Sequence, residues 1–378
     1  MSKPIVMLAA GGTGGHVFPA EALAHELIAR GYEVHLITDS RAERYAGTFP
    51  AAKIHIVPSA TIGSKNPISV ARSLLTLVKG ISVARKLIRQ LKPIAVVGFG
   101  GYPTLPPLYA ATRESVPTLI HEQNAVMGRA NRLLAPRVKA IAGGFLSANS
   151  GEHRTKIIAT GNPVRPAVLE AAKIDYQAST GDAPFNLVVF GGSQGAQFFS
   201  AVLPEAISLL PQQERSRLRL TQQARADDLV QATEAYKTMG IAADVSPFFG
   251  DMAERIGNAH FVISRSGAST VSELSVIGRP SVLVPYPYAL DHDQAANAAM
   301  LEAEGGASVK RQSELSPKIL SDLLLEAMNS PDHLAASAAA AKRTGKPHAA
   351  QTLANLVDYI AAGRPVADFA KEYEGVHP

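Results

Sequence analysis

The sequence predicts an α/β protein built from two successive open domains, each with a parallel sheet. Three observations carry that prediction. Short apolar runs alternate with helical segments and are bounded by glycine, proline or polar residues, the pattern of strands covered on both faces. The pattern starts twice, as IVMLAA leading into GGTGGH (5–16) and as FNLVVF leading into GGSQGA (185–196). A chain of 378 residues, 46% of them apolar, is too long for one average domain and sufficient for two cores.

Residues 5–10 read as the first strand, GGTGGH as a turn, and 19–31 as a helix closed by Gly31. Pro19 suits a first helical turn. Strands follow at 33–38, 54–58, 95–99, 118–122 and 139–144, with helical segments between several of them. GNPVRP (161–166) is the expected hinge, giving domains 1–161 and 162–346. The second domain opens with a strand at 185–190 and a helix ending before Pro211, and LRLTQQ, ADVSPFF, FVISRSGAST and PSVLVPYP supply further strand ends. Ligands are expected in a cleft where the carboxyl ends of the two sheets face each other.

The net charge of +5 is unevenly spread. Residues 1–161 hold 19 Lys/Arg against 8 Asp/Glu, the remainder 18 against 24, and no acid lies between Glu43 and Glu114. The first half is therefore expected to face something anionic: nucleic acid, phospholipid or a phosphorylated ligand. Cysteine is absent, which removes disulfides and thiolate chemistry and fits a reducing cytoplasm. The first apolar run is too short for a secretory signal, and no uninterrupted apolar run approaches a membrane span. Residues 66–93 carry Arg72, Lys79, Arg85, Lys86, Arg89 and Lys92 with no acid. Apolar residues recur there at helical spacings, as Ile68, Ala71, Leu75 and Val78 and as Leu74, Leu77, Ile81, Ala84 and Ile88. The segment reads either as an interfacial patch for anionic lipid or as a core-packing helix with a solvated basic face. Nucleic acid fits less well, since no aromatics are interleaved and the glycine loops would stay unexplained.

GGTGGH is neither GxxxxGKS/T nor GxGxxG. Glycines at a strand end let the backbone approach a ligand, and the next helix N-terminus offers free N–H groups, so the loop reads as an anion cradle or as a plain tight turn. Asp39 is the one acid near the dinucleotide ribose spacing and keeps a nicotinamide cofactor as a weak alternative. In FGGSQGA, Ser193 adds a hydroxyl suited to a diphosphate. In SRSGASTVSE (264–273), Thr270 and Glu273 satisfy a capping box. Alternatively, the Ser-Gly-Ala turn touches a nucleotide sugar while Glu273 accepts from two ribose hydroxyls. Asp291, Asp293 and Gln294 precede a helix and suit sugar hydroxyls, but Asp291, His292 and Asp293 are too close together for a metal shell, so no metal site is expected. GFGGYPTLPP (98–107) and HEQNAVMGRANRLLA (121–135) end later strands; Glu122, Gln123 and Asn124 form a polar cluster there, whereas His121 alone reads as a packed or solvated histidine.

These motifs occur in one order along nearly the whole chain, and the series resembles the bacterial N-acetylglucosaminyltransferase family that forms lipid II in peptidoglycan synthesis. The resemblance implies a GT-B fold: two Rossmann-like domains with parallel sheets facing a deep cleft, and a C-terminal helix (about 347–378) packed back on the first. It implies an inverting enzyme, peripheral on the cytoplasmic face of the inner membrane, serving wall biogenesis, cell shape and division. Ser193 would meet the UDP diphosphate, Glu273 the ribose, and Phe249 the uracil through backbone contacts. Ala268, Ser269 and Thr270 would line the nucleotide sugar, Gln294 would reach the sugar or ribose, and Arg165 and Asn124 would complete the donor pocket. Thr13, Gly14 and Gly15 would face the donor sugar and the acceptor pyrophosphate, with Gly100, Gly101, Tyr102, His121 and Gln123 on the acceptor side. Where some members carry a second glutamine this chain has Ala295, which leaves Asp293 and Asn297 as substitutes.

The implied partners are UDP-N-acetylglucosamine, lipid I, an anionic membrane surface met through 66–93, and a wall-synthesis complex. No cofactor is required, and a divalent cation stays compatible. The muramyl C4 hydroxyl would attack C1 of the donor sugar, with His16 or Glu122 as base, or with His16 instead holding the acceptor pyrophosphate as a cation. The competing readings are a UDP-GlcNAc 2-epimerase-like isomerase, a transferase with another acceptor, and a non-catalytic UDP-sugar-binding module.

Overall fold

The computed structural model of the protein describes residues 3–40, 49–61, 66–147, 151–289 and 293–374, and the side chains of 192–196, 370 and 374 fall outside that description. Two compact units divide the chain, Met1–Arg165 with Pro347–Pro378, and Pro166–Lys346.

In the first unit, seven parallel strands are β1 (Ile5–Ala9), β2 (Glu33–Thr38), β3 (Lys53–Ile56), β4 (Ala95–Gly98), β5 (Thr118–Glu122), β6 (Ala140–Gly143) and β7 (Ile157–Ala159), in the order β3-β2-β1-β4-β5-β6-β7. The helices are α1 (Gly14–Ala29), α2 (Pro67–Leu91), α3 (Leu105–Arg113) and α4 (Arg129–Leu134). Alternation along β1 sends Val6 and Leu8 into one core with Leu23 and Leu27 of α1, and Met7 and Ala9 into another with Ala84, Ile88 and Leu108. The strand order reverses between β1 and β4, and Ala9 lies in register with Gly98. The glycine loops after these two strands therefore leave the sheet side by side, at the switch point where open α/β sheets bind ligands.

Residues 162–165 belong to this unit, beyond the expected boundary at 161. The Asn162 amide donates to the Gln123 carbonyl at 3.0 Å, and the Arg165 guanidinium lies 4.1 Å from the Phe18 ring centroid.

The second unit has β8 (Phe185–Phe190), β9 (Leu218–Gln223), β10 (Ala242–Ser246), β11 (Phe261–Ser264), β12 (Ser281–Leu283) and β13 (Ala307–Val309), all parallel, in the order β10-β9-β8-β11-β12-β13. Its helices are α5 (Pro166–Ala171), α6 (Gly192–Ser208), α7 (Gln212–Arg217), α8 (Leu229–Thr238), α9 (Met252–Gly257), α10 (Ala268–Ile277), α11 (Asp293–Ala303), α12 (Pro317–Asn329) and α13 (Pro331–Thr344). Phe185, Leu187 and Val189 pack with Phe199, Leu203, Leu320 and Leu324. The tail helices α14 (Ala349–Ala361) and α15 (Val366–Glu374) return to the first unit, where Leu353, Val357 and Ile360 join the α1 core. Arg30 there donates to Asn355 and Asp358, each at 2.8 Å.

Three local expectations need correction. The first helix starts at Gly14, so half of the glycine loop is its first turn, and Pro19 lies inside it, removing the N–H that would bond the Gly15 carbonyl. The three-residue strands β7 and β13 were too short to stand out in the apolar pattern. Helix α10 starts at Ala268 behind an extended Gly267, which makes Thr270 its third residue, so the expected capping box with Glu273 does not form.

Candidate functional site

In the first unit the site grows from the loop after β1. Gly12 takes φ +86°, in the left-handed region that glycine alone enters freely. Thr13 is extended and precedes the helix without a side-chain cap; its carbonyl accepts from the His16 N–H at 3.2 Å, and the Gly14 and Gly15 N–H groups face the start of the helix, where an anion can meet them. His16 sits in that turn and folds its ring back. Its Nδ1 lies 3.2 Å from the Gly11 carbonyl and 3.3 Å from Thr13 Oγ1. A carbonyl only accepts, so Nδ1 carries the proton and Nε2 is left with its lone pair.

The ring rests on the loop after β4. Gly100 and Gly101 take φ +86° and +73°, and a Cβ on either would stand 3.3 Å from His16 ring atoms. Burial lowers the His16 pKa, while the Glu122 charge and the Gly11 carbonyl pull it partly back up. The imidazole is therefore neutral near pH 7, with an acceptor nitrogen: the state of a general base.

Glu122 is 2% exposed. Its Oε1 accepts from the backbone and side-chain nitrogens of Asn124 at 3.1 and 3.2 Å, and its Oε2 from Gly128 N at 2.8 Å and Asn131 Nδ2 at 2.9 Å. Four donors saturate the carboxylate, which orders the 122–131 segment and adds a fixed negative charge near His16. Asn131 was not singled out in the sequence; nothing in its spacing distinguishes it from the other polar residues of that loop.

His121 and Gln123 are buried and bond to each other and to the protein's own backbone. His121 Nε2 donates to the Gly161 carbonyl at 3.1 Å, its Nδ1 accepts from Gln123 Nε2 at 3.0 Å, and burial pulls its pKa down to about 4. Gln123 Nε2 also donates to the Phe99 carbonyl at 3.0 Å. This network ties the ends of β4 and β5 to the 161–162 turn beneath the glycine loops. Tyr102 and Asn124 remain half-buried. Arg165 lies on Phe18 of α1, close enough to Glu21 to oppose the rise that burial imposes on that carboxyl.

In the second unit the loops after β8, β11 and β12 carry the remaining candidates. The first turn of α10 presents Ala268, buried, with Ser269 and Thr270 half-buried, behind the extended Gly267. Glu273, one turn further, is 8% exposed. Phe249 is buried, with the Arg255 guanidinium 4.4 Å from its ring centroid. Gln294 Oε1 accepts from Tyr286 N at 2.9 Å, leaving the amide nitrogen as its donor end. Asn297 is fully buried and directs its amide to the Ser266 carbonyl at 3.4 Å. Asp293 stays half-buried at the start of α11. The Ser193 side chain, Asp291 and His292 lie outside the described residues.

Comparison with known proteins adds to this geometry. The chain matches the N-terminal domain of glycosyltransferase family 28 over residues 6–143 and the C-terminal domain of that family over residues 186–353. It is 68% identical over 376 residues, covering 100% of both chains, to the UDP-N-acetylglucosamine--N-acetylmuramyl-(pentapeptide) pyrophosphoryl-undecaprenol N-acetylglucosamine transferase of Agrobacterium fabrum. The Rhizobium rhizogenes protein of the same name is 67% identical, over 98% of this chain and 99% of its own. Among solved structures, Acinetobacter baumannii MurG superposes with a TM-score of 0.74 at 29% identity, covering 94% of this chain and 99% of that one. A putative UDP-N-acetylglucosamine 2-epimerase from Listeria monocytogenes, at TM-score 0.66 and 13% identity over 96% and 99%, shares the fold alone.

Proposed function

The chain belongs to glycosyltransferase family 28, and we propose that it is the inverting GT-B enzyme that moves N-acetylglucosamine from UDP-N-acetylglucosamine to the muramyl C4 hydroxyl of lipid I, making lipid II for peptidoglycan. The structural observation that carries the chemistry is the seat of His16: a neutral imidazole, its Nδ1 proton committed to the Gly11 carbonyl and its ring laid on Gly100 and Gly101.

In this reading the muramyl hydroxyl attacks C1 of the donor sugar as the bond from C1 to the UDP oxygen breaks. Nε2 of His16 takes the hydroxyl proton, and UDP leaves with the electron pair. A depressed pKa favours this role over that of an imidazolium holding pyrophosphate, since burial disfavours the charged form. Glu122 then stabilises the imidazolium formed in the transition state through space. The open N–H groups of α10, with Ser193 near the start of α6, meet the negative charge that develops on UDP. Glu273 takes the ribose hydroxyls, backbone near Phe249 the uracil, and Gln294 with Asp293 the sugar hydroxyls. Thr13, Gly14, Gly15, Asn124 and Arg165 complete the donor and acceptor contacts from the first unit, beside Tyr102.

The same reading gives the first unit a membrane face on α2. That helix buries only Gly80, Ala84 and Ile88, and Gly80 is required because a Cβ there would stand 2.1 Å from the Pro58 carbonyl oxygen. Ile68, Leu75 and Val78 stay 68, 70 and 64% exposed. Ile68, Arg72, Leu75, Lys79 and Lys86 fall on one helical stripe. Among the described residues α2 alone is long and apolar enough to cross a bilayer. Its five cationic residues and its packing against the sheet favour lying in the headgroup plane. Peripheral attachment to the cytoplasmic membrane face, membership in a wall-synthesis complex and a part in cell shape and division accompany this reading.

The test supplies purified protein with UDP-N-acetylglucosamine and a lipid I analogue and follows UDP release. Acceptor-dependent release is expected; release without acceptor, with epimerised sugar, would instead identify an isomerase.

A further inference from the structure

Arg265 follows β11 directly and is 5% exposed. Its Nη1 donates to the carbonyls of Val284 and Pro285, at 3.2 and 3.3 Å, just beyond β12. Its Nη2 donates to Gln312 Oε1 at 2.6 Å, just beyond β13. The guanidinium carbon lies 5.4 and 5.2 Å from the ring centroids of Phe198 and Phe199 on α6, the helix that leaves β8, and 5.4 Å from that of Tyr286. Strands β8, β11, β12 and β13 are consecutive neighbours in the sheet. One side chain thus touches the segments that leave all four.

We propose that Arg265 is a positioning residue for the donor site, fixing the loops after β8, β11, β12 and β13 against one another. The proposal rests on the reading of those loops as the UDP-N-acetylglucosamine site. Ser193 lies on the helix that Phe198 and Phe199 belong to, Ser269 and Thr270 begin a helix three residues after Arg265, and Gln294 is bonded to Tyr286 N. Each hangs from a segment the guanidinium holds. A planar fork with several donors in fixed directions suits this task, and a lysine ammonium cannot reproduce it. The side chain keeps its charge, since burial brings its pKa down only to about 10. Two other buried arginines among the described residues of this unit do different work: Arg217 donates to the Ala183 carbonyl, Ser179 Oγ and Glu214, and Arg279 donates to the carbonyls of Ile174, Gly257, Ile277 and Gly278, where α10 turns into the start of β12.

The experiment measures UDP binding by calorimetry, steady-state kinetics and thermal unfolding for Arg265→Lys, Gln312→Ala and the double variant of the intact protein. Arg265→Lys is expected to weaken UDP binding by about tenfold or more, because misplaced donor contacts lose affinity steeply. The KM for UDP-N-acetylglucosamine rises in step while the KM for acceptor holds. Gln312→Ala is expected to give a smaller loss in the same parameters, and the pair to be non-additive. Arg265→Lys binding UDP within twofold of wild type would overturn the proposal, as would a loss confined to kcat or to melting temperature. Were Arg265→Lys not to fold, unchanged UDP binding by Gln312→Ala would overturn it as well. Wild-type protein that does not bind UDP would instead sink the donor-site reading, and this proposal with it.

Discussion

Gly101 and His16 are fitted to one another: the space a Cβ on Gly101 would need lies 3.3 Å from Nδ1 and Cε1 of the imidazole. Gly101 also holds φ +73° with ψ 161°, a region essentially confined to glycine that costs an L-residue about 1–3 kcal/mol. Gly101→Ala is therefore expected to tilt the ring off its seat. The expected outcome is a kcat reduced about tenfold or more, from loss of alignment, with UDP affinity unchanged in calorimetry. A variant with normal kcat would show that the ring position does not matter.

Replacing the ring itself separates proton transfer from binding. His16→Ala should lower kcat by about 10²–10⁴ if Nε2 takes the acceptor proton, and leave the affinity for UDP alone. The depressed pKa sets the sign of the pH dependence. In the wild type, kcat/KM should fall only as pH drops below His16's ordinary 6.5, because the free imidazole persists further into acid than in solution. A kcat/KM that falls as pH rises through the His16 titration, or equal losses in kcat and UDP affinity, would argue for the pyrophosphate-binding cation.

The saturated carboxylate of Glu122 leads to a stability prediction. In Glu122→Gln an amide N–H₂ replaces one acceptor oxygen and faces donors such as Gly128 N and Asn131 Nδ2, which lose their partner. Each unsatisfied buried donor costs about 1–3 kcal/mol, so chemical denaturation should show a loss of at least that size. A variant with wild-type stability but no activity would return Glu122 to the role of a base.

Much of this was legible in the sequence, and the failures share a cause. The doubled strand–glycine–helix start and the position of each loop follow from local pattern, since buried parallel strands leave continuous apolar runs. Partner choice does not. Nothing in HEQNAV indicates that Glu122 turns inward to four donors while its neighbours His121 and Gln123 bond to the 161 turn and the Phe99 carbonyl, contacts that depend on strand order. The capping box at Thr270 and Glu273 failed because an extended Gly267 starts the helix two residues before Thr270, and a motif search does not see backbone angles. Arg265 went unremarked because its value lies in reaching three other loops.

His121 should make acid stability measurable. Its pKa is about 4 in the folded protein against 6.5 unfolded, so between these values the unfolded chain binds the extra proton. Stability is then lost as pH falls below 6.5, and the loss levels off below about 4, at about 3 kcal/mol from this group. His121→Gln should be less stable at neutral pH yet show a flatter slope over that window in urea titrations. Parallel slopes would mean that His121 is not held neutral.

The membrane face of α2 makes a prediction of opposite sign for two sets of charges. Glu114 holds Arg85 through a hydrogen-bonded ion pair and Arg89 at 2.8 Å, and the two arginines keep its carboxyl down to about 2. These two cations are therefore partly spent, whereas Arg72 and Lys79 sit on the outward stripe with Ile68 and Leu75. Each basic residue near an anionic surface contributes about 1 kcal/mol, so Arg72→Gln with Lys79→Gln should weaken binding to anionic vesicles by roughly tenfold or more. Glu114→Gln removes the masking charge and should strengthen it by about fivefold. Added salt should shrink both effects, and Leu75→Ser should weaken binding in a way salt does not alter, because its contribution is apolar. Sedimentation with vesicles of anionic and neutral lipid measures all four. Equal binding to neutral vesicles, or weaker binding by Glu114→Gln, would show that α2 is not the surface that meets the lipid.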